Sequence, residues 1–172
     1  GPGVIERAFT YNHWYSCHPQ LVSLPWGVRH LVSTNISMYR STFEDLGGFD
    51  ASLRAGEDVE FCVRALRHGS SLDYCNQIVV HHQNRTSFRE FIRVNFGYGK
   101  TRIAMKQKGA YRMPFLLQEN PIVNGLFMLP LATLLTLRIL FAWLPYDLKV
   151  VPYLPLVFLG QLMMVCGVFH SL

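Results

Sequence analysis

The chain has 172 residues and a net charge of +5, with 16 Lys and Arg against 11 Asp and Glu. That length can hold one domain with a real core, but the composition divides in two. Residues 1–118 are mixed in character, whereas 119–172 are apolar and almost uncharged. Four cysteines, Cys17, Cys62, Cys75 and Cys166, form no Cys-x-x-Cys pair. This argues against a zinc site and for reduced, structural thiols on a cytosolic face. Residues 1–20 hold no apolar run of the signal-peptide kind. Gly1-Pro2-Gly3 opens the chain without Met, as expected at the edge of a fragment or from an expression scar.

Residues 1–30 carry Tyr11, His13, Trp14, Tyr15, His18 and Trp26 with Pro19 and Pro25. They read as an irregular loop with a short helix or strand. Their aromatics either pack beneath that loop, the simpler reading, or form a platform for a sugar. Residues 31–33 predict a short strand. Ser41 and Glu44 have the spacing of a capping box, so a short helix is expected from Ser41 until Gly47-Gly48 ends it in left-handed geometry. A helix over 57–68 follows, its buried stripe at Val59, Cys62, Val63 and Leu66, with Gly69 just past its end. Acids open this helix and bases close it, as the helix dipole favours.

Residues 71–74 and 78–80 read as strands, the second apolar enough to be buried, with His81-His82 at its end. Ser87 and Glu90 form a second capping box. The helix they open runs toward Gly97 or Gly99, with Phe88, Phe91, Ile92, Asn95 and Phe96 on one side and Arg89 and Arg93 beside it. From Arg85 to Arg112 there are eight bases and one acid, Glu90. Nucleic acid is one partner for such a patch. Its place just before a hydrophobic segment argues instead for anionic headgroups and the positive-inside rule.

Residues 121–144 contain one charge, Arg138, and 150–169 contain none. Each stretch matches the roughly 20 residues needed to cross a bilayer. Pro145-Tyr146-Asp147-Leu148-Lys149 reads as a tight hairpin loop, with Trp143, Tyr146 and Tyr153 as an interfacial belt. Two spans so joined leave both ends on one side. The basic stretch makes that side the cytoplasm and turns the loop outward.

The densest local signal lies between the first two helices. Gly47-Gly48-Phe49-Asp50 precedes Ala55-Gly56-Glu57-Asp58-Val59-Glu60-Phe61-Cys62-Val63-Arg64. Glu57 and Asp58 thus stand at the mouth of a helix, where carboxylates can be fixed by backbone N–H groups and still face a cleft. Alone, such acids would be read as dipole and capping residues. With the flanking Asn35-Ile36-Ser37-Met38-Tyr39-Arg40 and His68-Gly69, the block resembles the acceptor half of family 2 glycosyltransferases of the GT-A type, over residues 32–102.

That resemblance implies an α/β fold: the C-terminal half of a GT-A nucleotide-sugar transferase, followed by a two-helix transmembrane hairpin. The expected division is 1–84 for the acceptor-side half, 85–118 for a basic amphipathic interfacial segment and 119–172 for two transmembrane helices. The resemblance makes Asp58 the catalytic base, with Glu57 in support, in an inverting transfer from a nucleotide-sugar donor. The acceptor would be a saccharide, lipid-linked or part of a cell-envelope polysaccharide, and no nucleic acid is involved. It places Asn35, Arg40 and Asp50 on the acceptor side, Arg93 and Tyr98 in a lid over the nucleotide, and His82, rather than His81, at a metal ion, Mg²⁺ or Mn²⁺. The family's Asp-x-Asp ligand motif and an upstream nucleotide pocket are absent from these residues, so the segment by itself is expected to be inactive. The Gln-x-x-Arg-Trp of processive synthases is also absent. The rival expectation is non-enzymatic: a membrane-anchored binding module using the basic helix.

Overall fold

The computed structural model describes residues 3–14, 30–75, 77–110 and 121–171. Tyr15, Cys17, His18, Pro19, Pro25, Trp26, Tyr111 and Arg112 lie outside them. Six α-helices are present among the described residues: α1 (Val4–His13), α2 (Arg40–Asp45), α3 (Glu57–Arg67), α4 (Phe88–Gln107), α5 (Pro121–Trp143) and α6 (Leu154–His170). Short 3₁₀ helices occupy Ser33–Asn35 and Leu148–Tyr153. Of the three cysteines described, Cys62, Cys75 and Cys166, all are free thiols.

The α/β expectation of a GT-A half is overturned: no described residue belongs to a strand or sheet. The segments read as strands spend their backbone groups elsewhere. The N–H of Leu31 goes to the Cys62 thiol at 3.3 Å and that of Ser33 to Asp58 at 2.9 Å. The Ile78 carbonyl accepts the Asn35 side-chain amide at 3.1 Å. Ile78, Val79 and Val80, expected to be buried, are all exposed. Apolar β-propensity describes a residue suited to a pleated, half-buried surface. Without a neighbouring ladder there is no such surface to join.

Both predicted capping boxes also fail, for one reason. Glu44 is bound to Arg40 at 2.7 Å, so α2 starts at Arg40, behind Tyr39, and Ser41 lies inside it. Ser87 does hold the N-cap of α4, but its side chain makes no cap bond. Glu90 is drawn to Arg93 and Arg85 instead. The left-handed Gly47, Gly48 and Gly69 are as expected.

In α3 the buried side is turned from the predicted stripe. Phe61, Cys62 and Ala65 are buried and Leu66 is exposed. Phe61 packs with Phe43 and Phe49, ring centroids 5.3 to 5.7 Å apart. Burying aromatic rings is worth more than burying the smaller Val59 and Val63, so the trio sets the helix's rotation.

Helix α4 runs past Gly97 and Gly99 to Gln107, because its partner needs both the length and the glycine. It lies beside α6. Phe91 meets Gly160, Gly99 meets Met164 and Gly167, and Ile103 clusters with Val165, Val168 and Leu131 of α5. At the hairpin end Tyr11 of α1 packs with Ile139, Trp143, Val150 and Val157. Trp143 and Tyr153 therefore belong to a core around Tyr11 and not to an open belt. α1 is held by its own hydrogen bonds: the Trp143 indole donates to the Tyr11 carbonyl at 3.0 Å and the Tyr11 hydroxyl donates to Asp147 at 2.8 Å.

A Cβ at Gly99 would sit 1.9 Å from the Met164 carbonyl oxygen and 2.9 Å from the Gly167 Cα, both backbone. One at Gly97 meets nothing within 4 Å. Gly99→Ala should therefore destabilise the detergent-solubilised protein by about 2 kcal/mol or more, as overpacking does. Gly97→Ala should be neutral or stabilising by up to about 1 kcal/mol, from helix propensity alone. Thermal unfolding of the two variants side by side checks the packing.

Candidate active site

The Gly47–Arg64 block is one mechanical unit. Arg64 lies one turn beyond Glu60 and binds both its oxygens, at 2.9 and 2.6 Å. The same guanidinium donates to the carbonyls of Leu46 and Gly48, the latter at 2.9 Å. It thereby closes the left-handed Gly47-Gly48 turn onto α3. Fork-shaped donors suit this job and a lysine would not. On the other side Asp50 accepts from the N–H and hydroxyl of Ser52 and pairs with Lys108 at the end of α4. The Lys108 ammonium, helped by Ser52, holds the Asp50 carboxyl well below the usual range. Gly56, left-handed at the N-cap of α3, abuts Met105. The carboxylate pair is thus set against α4 by contacts on both sides.

Asp58 is half-buried. One of its oxygens accepts the Ser33 N–H at 2.9 Å and the other the Val59 N–H at 2.8 Å. Backbone donors fix the carboxylate plane, and each oxygen keeps a further lone pair for a substrate proton. Two neighbours bring chemistry. His30 lies close enough to feel the Asp58 charge, and burial lowers its pKa against that attraction. Tyr98 of α4 is within electrostatic reach of Asp58, Glu57 and Arg85. Burial lifts its phenol above the ordinary value; Arg85 opposes the shift and the two carboxylates add to it. An open groove of about 660 Å³ begins one helical turn away at Leu31 and Cys62, with Tyr39, Thr42 and Asp73 among its lining.

The other residues expected at the site separate into two groups. Tyr98 joins the carboxylates, and Asn35 borders them through the 31–35 segment, though its amide is committed to Ile78. Arg40 pairs with Glu44 in solvent, Arg93 pairs with Glu90, and Asp50 with Lys108. These three are occupied by intramolecular partners. His82 stacks on Trp14 at 4.8 Å, and its Nδ1 lies 3.1 Å from Asn84, which also receives the Trp14 indole. Among the described residues no group of three or more His, Cys, Asp or Glu could hold a metal ion. His82 thus has no partner ligand set among the described residues, and no chemical step is routed through a metal.

His30, Arg85 and His13 are not among the residues expected at the site. His30 carries no local pattern. Arg85 read as one base in a basic run. His13 lies between the rings of Phe9 and Tyr98, at 4.6 and 5.0 Å, and its Nε2 is buried without a hydrogen-bond partner among the described residues.

Over 72 residues the chain is 36% identical to a pre-mycofactocin glycosyltransferase of Mycobacterium tuberculosis, in strain CDC 1551 / Oshkosh and equally in strain ATCC 25618 / H37Rv. The match takes in 42% of this chain and 15% of each relative, so the chain spans a small part of the length of the curated relatives it matches. No family model matches the chain. No solved structure matches it either. Part of the chain is thus similar to a glycosyltransferase.

Burial pushes the His13 imidazole down to about 3, with Arg102 and Arg85 adding to the shift. In the unfolded chain it titrates near 6.5. Between those values the unfolded state binds a proton that the folded state does not, so stability must fall as pH drops below 6.5. From pH 7 to 5 the loss from His13 is about 2 kcal/mol. His30 shifts in the same direction, while the depressed carboxylates Asp50 and Asp147 lose their contribution only as pH falls through the ordinary carboxylate range and lower, outside this window. His13→Phe should therefore shrink, but not abolish, the fall in unfolding midpoint over that window. An unchanged pH slope in the variant would show that His13 is not held neutral.

Proposed function

We propose that this chain is the membrane-proximal, base-carrying segment of an inverting glycosyltransferase of the family 2 type. The observation that carries the reading is Asp58: a half-buried carboxylate, oriented by two backbone N–H groups at the mouth of α3, within electrostatic reach of Tyr98 and one turn from a groove of sugar size. The partial similarity to a glycosyltransferase supports it. In this reading residues 1–84 carry the base and acceptor elements, 85–118 the basic interfacial segment and 119–172 the apolar hairpin.

The transfer is a single displacement. Asp58 takes the proton of an acceptor hydroxyl as that oxygen attacks the anomeric carbon from the side opposite the leaving group. The bond to the nucleotide diphosphate breaks, its electron pair leaves with the phosphate, and the anomeric centre inverts. An ionised carboxylate is already a competent base near neutral pH, and orientation supplies much of the rate. Glu57 keeps the mouth of the cleft acidic. Tyr98 stands on the side of α4, where a donor's phosphates would find a hydroxyl. The exposed Tyr39 at the groove offers a ring face to a saccharide acceptor. The acceptor is a saccharide or a lipid-linked sugar, and the donor a nucleotide sugar made in the cytoplasm. The cleft accordingly lies on the cytoplasmic side of the membrane that the two apolar helices imply. Two helices are long and apolar enough to cross one, at Gly125–Trp143 and Leu148–His170.

Asp58→Asn removes the base and keeps one of the two backbone hydrogen bonds, since the amide nitrogen cannot accept the other. In a protein of the relatives' length carrying this segment, it should leave donor binding unchanged and lower stability by about 1 kcal/mol. Turnover across a panel of nucleotide sugars should fall by about 100-fold or more, the order expected for a general base. Turnover near that of the parent would end the assignment.

A further inference from the structure

We propose that the α5–α6 hairpin lies along the membrane instead of across it, with the outer face of α5 in the acyl layer of one anionic phospholipid leaflet. The inference rests on the membrane association argued above and replaces the two-pass anchor expected from hydropathy. Three observations lead to it.

The first is the company α6 keeps. α4 accompanies it from Phe91 beside Gly160 to Ile103 beside Val165 and Val168. Twelve residues of helix are about 18 Å. If α6 crossed a bilayer, this stretch of α4 would lie at hydrocarbon depth. Yet it carries Arg93, with most of its side chain in the open, Lys100, also exposed, and Arg102. Cations on a surface facing acyl chains are strongly disfavoured.

The second is the hairpin turn. In a two-pass anchor the turn is a full membrane thickness from the ends of its helices. Here Asp147 of the turn accepts the Tyr11 hydroxyl, while His13, two residues further along α1, packs on Tyr98. The turn is thus fastened through two residues of α1, a rise of about 3 Å, to the middle of α4, and not set a hydrocarbon core of about 30 Å away from it.

The third is the surface left over. Ile122, Leu126, Leu129, Leu137 and Phe141 line one side of α5 and are exposed by 40 to 73%. Ala132, Ile139 and Trp143, on the other side, are buried. A stripe running the length of a 23-residue helix is far more than the scattered apolar residues of a soluble surface. α4, which carries the bases, packs on the buried side of the same helix, Ile103 against Leu131. An apolar face backed by cations fits an anionic leaflet: acyl chains under α5, headgroups against α4.

Single cysteines at Ile122, Leu129 and Phe141, in the full chain with its own cysteines replaced by alanine, carry a fluorophore in phosphatidylcholine vesicles containing phosphatidylserine. Nitroxide phospholipids quench from a shallow or a deep acyl position. The in-plane arrangement requires a ratio of shallow to deep quenching above one and the same at all three sites. Cysteines at Lys106 and Asp147 should also react together with an impermeant thiol reagent added on one side. If Leu129 is the deepest and Asp147 and Lys106 react from opposite sides, the hairpin spans; the in-plane proposal falls and membrane association stands. If no site is quenched by either lipid, α5 is covered by a second copy or another protein, and both readings fall.

Discussion

A buried amide triad fixes how α1, α4 and α6 pack, and the hairpin with them. Asn12 of α1 donates to Asn95 of α4 at 2.7 Å, Asn95 donates to the Phe91 carbonyl one turn back, and Gln161 of α6 donates to Asn12. All three side chains are at most 5% exposed. Leaving one such amide unpaired costs about 1–3 kcal/mol, so a shift of any of the three helices by one residue is penalised at once. Apolar contacts alone would not be so selective, because α6 is apolar around most of its circumference. Gly160 makes the crossing possible, since a Cβ there would meet the Asn12 amide at 2.1 Å. The triad places α1, and α1 then places Tyr11 on the hairpin turn and His13 on Tyr98.

The carboxylate block depends on a second lock of a different kind. Arg64 satisfies carbonyls of the glycine turn that would otherwise lack partners, while Glu60 neutralises it. Surface ion pairs contribute little, but this one is half sheltered and tied to backbone on one side, which makes it a clamp on conformation. Lys108 and Met105 attach the clamp to the end of α4. The glycines at 47, 48 and 56 are required by their positive φ, so each marks a place where the chain must turn tightly to bring Asp58 forward.

Much of this was legible locally and little of it globally. The helices at 57–67 and 121–143, and the start of the one at 88, follow from periodicity, capping position and apolar length. The glycine turns follow from residue type. The strands at 31–33, 71–74 and 78–80 did not materialise, because a strand is a property of its neighbours and a sequence window does not contain them. The capping boxes failed because Glu44 and Glu90 had arginines within reach, a competition that a spacing rule does not weigh. At the candidate site, Asp58 could be picked from its position behind the glycine turn. His13 and His30 could not, since what distinguishes them is burial conferred by residues far away in the chain. The length of α4 was missed for a similar reason: Gly99 reads as a helix end until it is seen to be a point of contact.

α4 joins the two halves of the molecule, and this has a consequence for how the parts work together. Tyr98, Gly99 and Asn95 are within one turn of each other, and they face the carboxylates, the α6 backbone and the amide triad respectively. At Gly99 and Gly167 the backbones approach so closely that a Cβ on either would overlap the other helix's main chain. Close-packed interfaces of this kind have discrete arrangements instead of continuous ones. The position of the hairpin and that of Tyr98 are therefore one variable. In the proposed reading a membrane that sets the first also sets the second, so that a lipid-borne acceptor would meet Asp58 at a distance fixed by helix packing and not by a flexible tether.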